Sequence, residues 1–211
     1  MLSAARVEEV YRRFEAVDPS PNRTPKKIKR DAFRSLISVV LSAQTLDSQT
    51  EKATRKLFAV AATPDAILAL PPTRLRELIR DVGMYNMKTE NIRKLCRRLI
   101  DDCDREVPRT RAGLMALPGV GRKSADIMLR FVFQEPAIAV DTHVFRVANR
   151  IGLTAEKTEV KTAEALAART PERYRWGAHI WLLEHGKTVC RSRKPRCDDC
   201  ALGDVCERNL G

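Results

Sequence analysis

Residues 114–124 read Leu114-Met115-Ala116-Leu117-Pro118-Gly119-Val120-Gly121-Arg122-Lys123-Ser124. The apolar run closes a helix, Pro118-Gly119-Val120-Gly121 supplies a tight turn, and Arg122-Lys123-Ser124 opens a second helix. The two glycines permit the turn and a close approach of backbone to a ligand. The amides of Val120 and Gly121, with the first turn of the helix that follows, are expected to face outward as donors for a phosphate. A Gly-x-Gly turn alone is a weak signal. With Leu-Pro ahead of it and helical periodicity on both sides it reads as a helix-hairpin-helix, which grips a nucleic-acid backbone without reading bases.

Working outward, helix punctuation recurs and strand alternation does not. Thr63-Pro64-Asp65 gives an N-cap, a proline at the first helical position and an early acid, followed by the apolar Ile67, Leu68 and Leu70. A helix is expected from Thr73 to Asp81, with Leu75, Leu78 and Ile79 inside and Gly83 beyond its end. Another fits Lys88 to Asp102. There Ile92, Leu95, Leu99 and Ile100 repeat at helical spacing, while Arg93, Lys94, Arg97 and Arg98 face outward. Similar patterns cover residues 4–16, 31–43, 47–60, 111–117, 122–133, 142–150, 158–169 and 173–185. The expected architecture is therefore all-α, about ten helices joined by short loops. Asp18 to Pro25 is the candidate linker, and Gln134-Glu135-Pro136 breaks the helical pattern again.

Composition narrows the function classes. With 211 residues, 44% of them hydrophobic and 31% charged, the chain should bury roughly 70% of its unfolded surface and needs no disulfide staples. No run approaches the ~18 apolar residues of a membrane span, and Arg6, Glu8 and Glu9 occupy the place of a signal's apolar region. The expected compartment is the cytoplasm, with no membrane partner. Against 27 Asp and Glu stand 39 Lys and Arg, a formal charge of +12, which favours a polyanion. Aromatic residues make up only 5%, which disfavours a single-strand binder built on stacked rings.

Cys190, Cys197, Cys200 and Cys206 read Cys-x6-Cys-x2-Cys-x5-Cys. Such a density of thiolates suits zinc or an iron–sulfur cluster. Structural zinc sites usually use two short Cys-x2–4-Cys knuckles. Only Cys197 and Cys200 form one, so the spacing favours a [4Fe–4S] cluster over zinc. Cys96 and Cys103 read as small buried hydrophobes. Between Cys190 and Cys197 stand Arg191, Arg193, Lys194 and Arg196, in a loop that either presents cations to a phosphate backbone or is simply a solvated charge run.

Lys123 falls in the first turn of its helix, where the macrodipole disfavours an ammonium. A free lysine is neutral only about four parts in ten thousand at pH 7. The dipole, Arg122 and partial burial are expected to lower its pKa toward that of a nucleophilic amine; a plain phosphate-binding lysine is the alternative. Eighteen residues on comes Val140-Asp141-Thr142-His143, after the apolar Ala137-Ile138-Ala139. Asp141 reads as an N-cap that also remains ionised, able to take a proton or stabilise a cationic sugar.

Together, the Leu-Pro-Gly-Val-Gly-Arg-Lys hairpin, Val-Asp-Thr-His and the cysteine tail resemble the endonuclease III family of DNA glycosylases with AP-lyase activity. The resemblance runs from Leu41-Ser42-Ala43-Gln44 through Tyr85-Asn86 to Cys206. It implies two helical domains with a DNA-binding cleft between them: a six-helix domain over residues 25–135, and a cluster domain from 1–24 and 136–211. It implies Lys123 as nucleophile, Asp141 as catalytic carboxylate, and a structural [4Fe–4S] cluster on Cys190, Cys197, Cys200 and Cys206. The substrate would be double-stranded DNA with damaged bases or abasic sites, bound by a monomer.

In the same reading Gln44 fills the space vacated by an extruded nucleotide, and Met84 stands where relatives often carry a leucine wedge. Gly119, Val120, Gly121, His143, Arg191, Arg193 and Lys194 would contact DNA. His179 and His185 read as structural, and Trp176 and Trp181 as core. Relatives that remove mismatched adenine lack the lysine and usually carry a further C-terminal domain, for which the five residues after Cys206 leave no room. An electron carrier would not need the hairpin or Lys123 paired with Asp141, and a noncatalytic damage-binding module would keep DNA affinity without base release.

Overall fold

The computed structural model describes residues 1–19, 21, 24–25, 28 and 31–210, and among them the chain is all-helical, without strands. The helices are α1 (Ala4–Val17), α2 (Ala32–Ser42), α3 (Asp47–Val60), α4 (Pro64–Ala69), α5 (Pro72–Leu78), α6 (Tyr85–Asp102), α7 (Arg111–Met115), α8 (Arg122–Phe131), α9 (Thr142–Ile151), α10 (Glu159–Arg169) and α11 (Arg175–Thr188), with a 3-10 turn at Glu172–Tyr174 before α11. No helix among the described residues is long and apolar enough to cross a membrane. The candidate linker falls partly on residues 20, 22 and 23, outside the described residues. Two compact units result: Thr24–Glu135 forms a central unit, and Met1–Arg23 with Pro136–Gly211 a terminal unit.

In the central unit α2 is buried along almost its whole length, with Phe33, Leu36, Ile37, Val39, Val40 and Leu41 in the core. It packs against α3, α6 and α8. A helix this apolar, with Arg34 its one exposed residue, is a core helix. Its start is fixed by Asp31, whose side chain accepts the Arg34 amide at 2.7 Å. The Thr63-Pro64-Asp65 signal places α4 where the sequence put it, with Thr63 Oγ1 accepting from Ala66 N.

Three boundaries and two side chains differ from the sequence expectations. α6 begins at Tyr85, one turn before Lys88, because Met84 takes a left-handed conformation and turns the chain into the helix. α5 stops at Leu78, and α11 continues to Thr188. Arg93 does not simply face outward: its Nη1 donates to Leu70 O at 2.8 Å and ties the end of α4 to α6. Trp176 is exposed while Trp181 is core; five residues of helix put them on different faces. Cys96 is fully buried, and burial pushes its thiol up to about 12.

The terminal unit gathers its rings into one cluster. Tyr11 stacks on Tyr174 at 5.5 Å between centroids, and Trp181 stacks on Phe14 at 6.4 Å. The buried Tyr11 hydroxyl meets Thr170 Oγ1 at 2.9 Å. α9 packs on α11 with no room to spare. A Cβ at Gly186 would lie 3.0 Å from His143 Cβ and from Val147 Cγ2, so glycine sets how closely the two helices approach.

The hairpin helices α7 and α8 share one buried carboxylate. Asp126, 1% exposed, accepts from Arg111 Nε at 2.6 Å and Arg122 Nε at 3.2 Å. Asp126→Ala removes the carboxylate that both guanidinium groups share and is expected to cost about 2–3 kcal/mol. In a chain of this size that lowers the thermal midpoint by roughly 5–10 °C, measurable by scanning calorimetry. An unchanged midpoint would mean that this carboxylate does not hold the hairpin.

Candidate functional site

The two glycines of the hairpin do different work. Gly119 has φ +81°, and a Cβ there would sit 3.2 Å from Asn91 Cβ, so the turn itself requires glycine. Gly121 is the N-cap of α8 at φ −89°, and a Cβ added to it meets nothing within 4 Å. Its missing side chain leaves open space, not conformational freedom. Val120 corrects one expectation. It is buried, and its amide closes the turn onto Leu117 O at 3.1 Å, so that amide is not a phosphate donor. The donors at this end are those of Gly121 and of the uncapped first turn, Arg122 to Ser124. Lys123 is exposed in that turn, without the partial burial expected of it.

Asp141 is the N-cap of α9. Its Oδ1 accepts from His143 N and Val144 N, both at 2.9 Å. No hydrogen bond reaches Oδ2 among the described residues, so one carboxylate oxygen is committed to the cap and the other is not. The strand-like approach to it is held on both sides. Ala137 to Val140 are buried, and His179 Nδ1 lies 2.7 Å from Ala139 O. His143 is half-buried, with Nδ1 3.3 Å from Arg146 Nη2, so its ring is oriented by its own helix.

The four cysteines of the tail line one cavity with His185, Arg150 and Arg208. Burial pushes the Cys200 and Cys206 thiols up, and the other cysteines add to the effect. N–H donors approach the sulfurs: Arg208 N at 3.3 Å from Cys206 Sγ and Arg150 Nη1 at 3.9 Å from Cys190 Sγ. Burial pushes His185, 3.7 Å from Cys200 Sγ, down to about 4. Among the described residues no three His, Cys, Asp or Glu side chains converge as a single ion requires.

The loop is anchored in protein as well. Leu202 and Val205 belong to the terminal core, and Arg13 of α1 donates to Ala201 O at 2.8 Å and to the Asp204 carboxylate. That guanidinium holds the Asp204 carboxyl down at about 2. Arg150 of α9 donates to Arg191 O at 2.7 Å and Ser192 O at 3.1 Å. The backbone of the basic loop is thereby pinned while Arg191, Arg193, Lys194 and Arg196 remain exposed.

Gln44 and Met84 are both exposed, and both adopt the left-handed region, at φ 50° and 52°. Their turns touch: a Cβ on Gly83 would lie 3.2 Å from Gln44 O.

The sequence pattern of the HhH-GPD superfamily of base excision DNA repair proteins matches residues 37–172. The chain is 45% identical to endonuclease III of Haemophilus influenzae over 94% of this chain and 93% of that protein. It is 42% identical to endonuclease III of Escherichia coli K12 over 98% and 97%. The chain belongs to the endonuclease III family and is a DNA glycosylase. In the solved structures it resembles a trapped endonuclease III–DNA covalent intermediate, with a TM-score of 0.88, 36% identity, and 99% and 97% of the two chains covered.

Three residues that hold the loops around these positions were not singled out by the sequence. Arg146 donates to Cys190 O and Gly186 O, at 3.2 and 2.8 Å. Arg150 holds the basic loop. Their i, i+4 spacing on the helix that follows Asp141 was visible, but their acceptors lie some forty residues away. Lys88 was passed over as a helix start, and is buried at 2% exposure with its ammonium against the end of α2 and the loop that follows it.

The division of labour at the hairpin can be tested by a pair of variants. Gly119→Ala is expected to cost about 1–2 kcal/mol through its left-handed backbone. Gly121→Ala should change stability by less than about 0.5 kcal/mol and yet weaken binding to duplex DNA, read by fluorescence anisotropy. A lowered melting midpoint for Gly121→Ala, or undiminished affinity, would remove the open-space role.

Proposed function

We propose that this glycosylase removes oxidised pyrimidines from duplex DNA and cuts the resulting abasic site by β-elimination, with Lys123 as nucleophile and Asp141 as its proton acceptor. The observation that carries the reading is an exposed primary amine in the uncapped first turn behind an open hairpin. The backbone amides there suit a phosphate, which would bring the sugar chain to the amine. That a 36% identical endonuclease III was trapped as a covalent DNA intermediate supports a side-chain nucleophile over an activated water.

Extrusion of the damaged nucleotide costs a few kcal/mol, least for a lesion already poorly stacked. Gln44 and Met84 fill the space left behind. The neutral Lys123 amine attacks C1′, the glycosidic bond breaks, and the base departs with its electron pair and gains a proton. Oδ2 of Asp141 accepts the proton that the new C1′–N bond makes acidic. Return of that proton to O4′ breaks the C1′–O4′ bond, opening the sugar ring and leaving an iminium at C1′. Loss of a C2′ proton then expels the 3′ phosphate, and water releases Lys123 from the imine. Gly119, Gly121, His143, Arg191, Arg193 and Lys194 contact the backbone around this centre.

Cys190, Cys197, Cys200 and Cys206 are proposed to hold a [4Fe–4S] cluster. Four sulfurs around one cavity, without the convergence a lone ion needs, fit a polynuclear group better than zinc. When bound, it supplies four metal–thiolate cross-links to the loop.

Three experiments test the reading. Borohydride should trap the protein covalently on thymine-glycol duplex, and Lys123→Gln should abolish trapping. Asp141→Asn preserves the cap and should leave the melting midpoint unchanged while slowing base release about 10²–10⁴-fold. Undiminished strand scission by Lys123→Gln would overturn the mechanism. Metal analysis of purified protein should find about four irons per chain with visible absorption toward the blue; zinc would overturn the cluster assignment.

A further inference from the structure

Two exposed tips in the central unit share a backbone state that side chains avoid. Gln44 and Met84 both lie at left-handed φ, a conformation that a side chain's Cβ disfavours. Such strain persists only where the surroundings over-determine it. The group between the two tips is the ammonium of Lys88. Its three donors meet three acceptors: Leu41 O at 2.8 Å, Ala43 O at 2.6 Å and Thr45 Oγ1 at 2.9 Å. All three are neutral, and all lie more than forty residues away in sequence.

We propose that Lys88 is a positioning residue that fixes the spacing of the Gln44 and Met84 tips, so that both enter the duplex as one unit when a nucleotide is extruded. This rests on the assignment of Gln44 and Met84 to the vacated space.

A buried ammonium without a counter-ion is costly, and its place at the C-terminus of α2 offsets only part of that cost. Capping α2 would require contact with Leu41 O and Ala43 O alone. Lys88 reaches further. The Thr45 hydroxyl that it touches also accepts the Gly83 amide at 3.2 Å and donates to Ala43 O at 3.3 Å. Thr45 adjoins Gln44, and Gly83 adjoins Met84. The Lys88 amide in turn donates to Met84 O at 3.0 Å. One side chain thus closes a circuit through both tips, and Gly83 lets their backbones approach. An apolar residue of the same length would fill the space but could not join the circuit.

The test uses a duplex carrying an abasic-site analogue opposite 2-aminopurine, whose fluorescence rises on unstacking. Purified holoenzyme is compared with Lys88→Met, Thr45→Val, Gln44→Ala and Met84→Ala. Lys88→Met is expected to keep helical circular dichroism and to keep affinity for undamaged duplex within about twofold, since that affinity is set by backbone charge. The 2-aminopurine signal, and kcat for release of a stably paired lesion, should fall at least about tenfold while KM holds.

In double variants with Gln44→Ala or Met84→Ala, Lys88→Met should add no further loss; independent, additive losses mark a merely structural lysine and overturn the proposal. If Lys88→Met does not fold, Thr45→Val decides, and an unchanged signal there overturns it. If both Gln44→Ala and Met84→Ala leave signal and release intact, the insertion assignment itself fails and the proposal falls with it. A loss in those two without a loss in Lys88→Met overturns the lysine's role alone.

Discussion

Every α-helix leaves four amides and four carbonyls without an internal partner, and a protein made of eleven short α-helices among its described residues has many such ends to satisfy. Several polar side chains of this chain are answers to that constraint. Asp141 satisfies the start of α9. Lys88 satisfies the end of α2, and Arg146 the end of α11. The start of α8 has no side-chain cap, and there the hairpin turns outward.

The contrast between α8 and α9 follows from that. A capped terminus fixes a side chain in place, which suits a carboxylate that must hold one geometry. An uncapped terminus keeps its donors for whatever anion arrives. Substituting a capping serine or aspartate at Gly121 would satisfy α8 internally and fill the open space that its missing side chain provides. The local stability of α8 is therefore weaker than the sequence around it could have made it, and the deficit sits where its amide donors are left open.

What the sequence disclosed and what it concealed divide along the same line. Short-range signals were legible. Thr63-Pro64-Asp65 set α4, Asp141 read as a cap, and the glycine pair marked the turn. Long-range partners were not. Lys88 looked like one more polar residue at a helix start because its three acceptors lie on the far side of α3 in sequence. Arg93 looked like a solvated cation, although it reaches a carbonyl at the end of α4. Val120 was misread for a subtler reason: residue type does not tell which amide a turn consumes, and this one goes to Leu117. Cysteine spacing disclosed a common site, but not that Leu202 and Val205 anchor the loop in the hydrophobic core.

Within the terminal unit, α9 connects the carboxylate to the cysteine loop. Asp141 caps its first turn. Arg146 and Arg150, one turn apart, grip the loop through Cys190 O, Arg191 O and Ser192 O. Ten residues of helix span about 15 Å and bend little, so a shift of the loop cannot be absorbed between these points. Close packing at Gly186 removes the remaining freedom, because α11 leads directly into Cys190 and is pressed against His143 and Val147. The cysteine loop and the Asp141 carboxylate are therefore coupled through α9 and α11, so that the position of one constrains the position of the other.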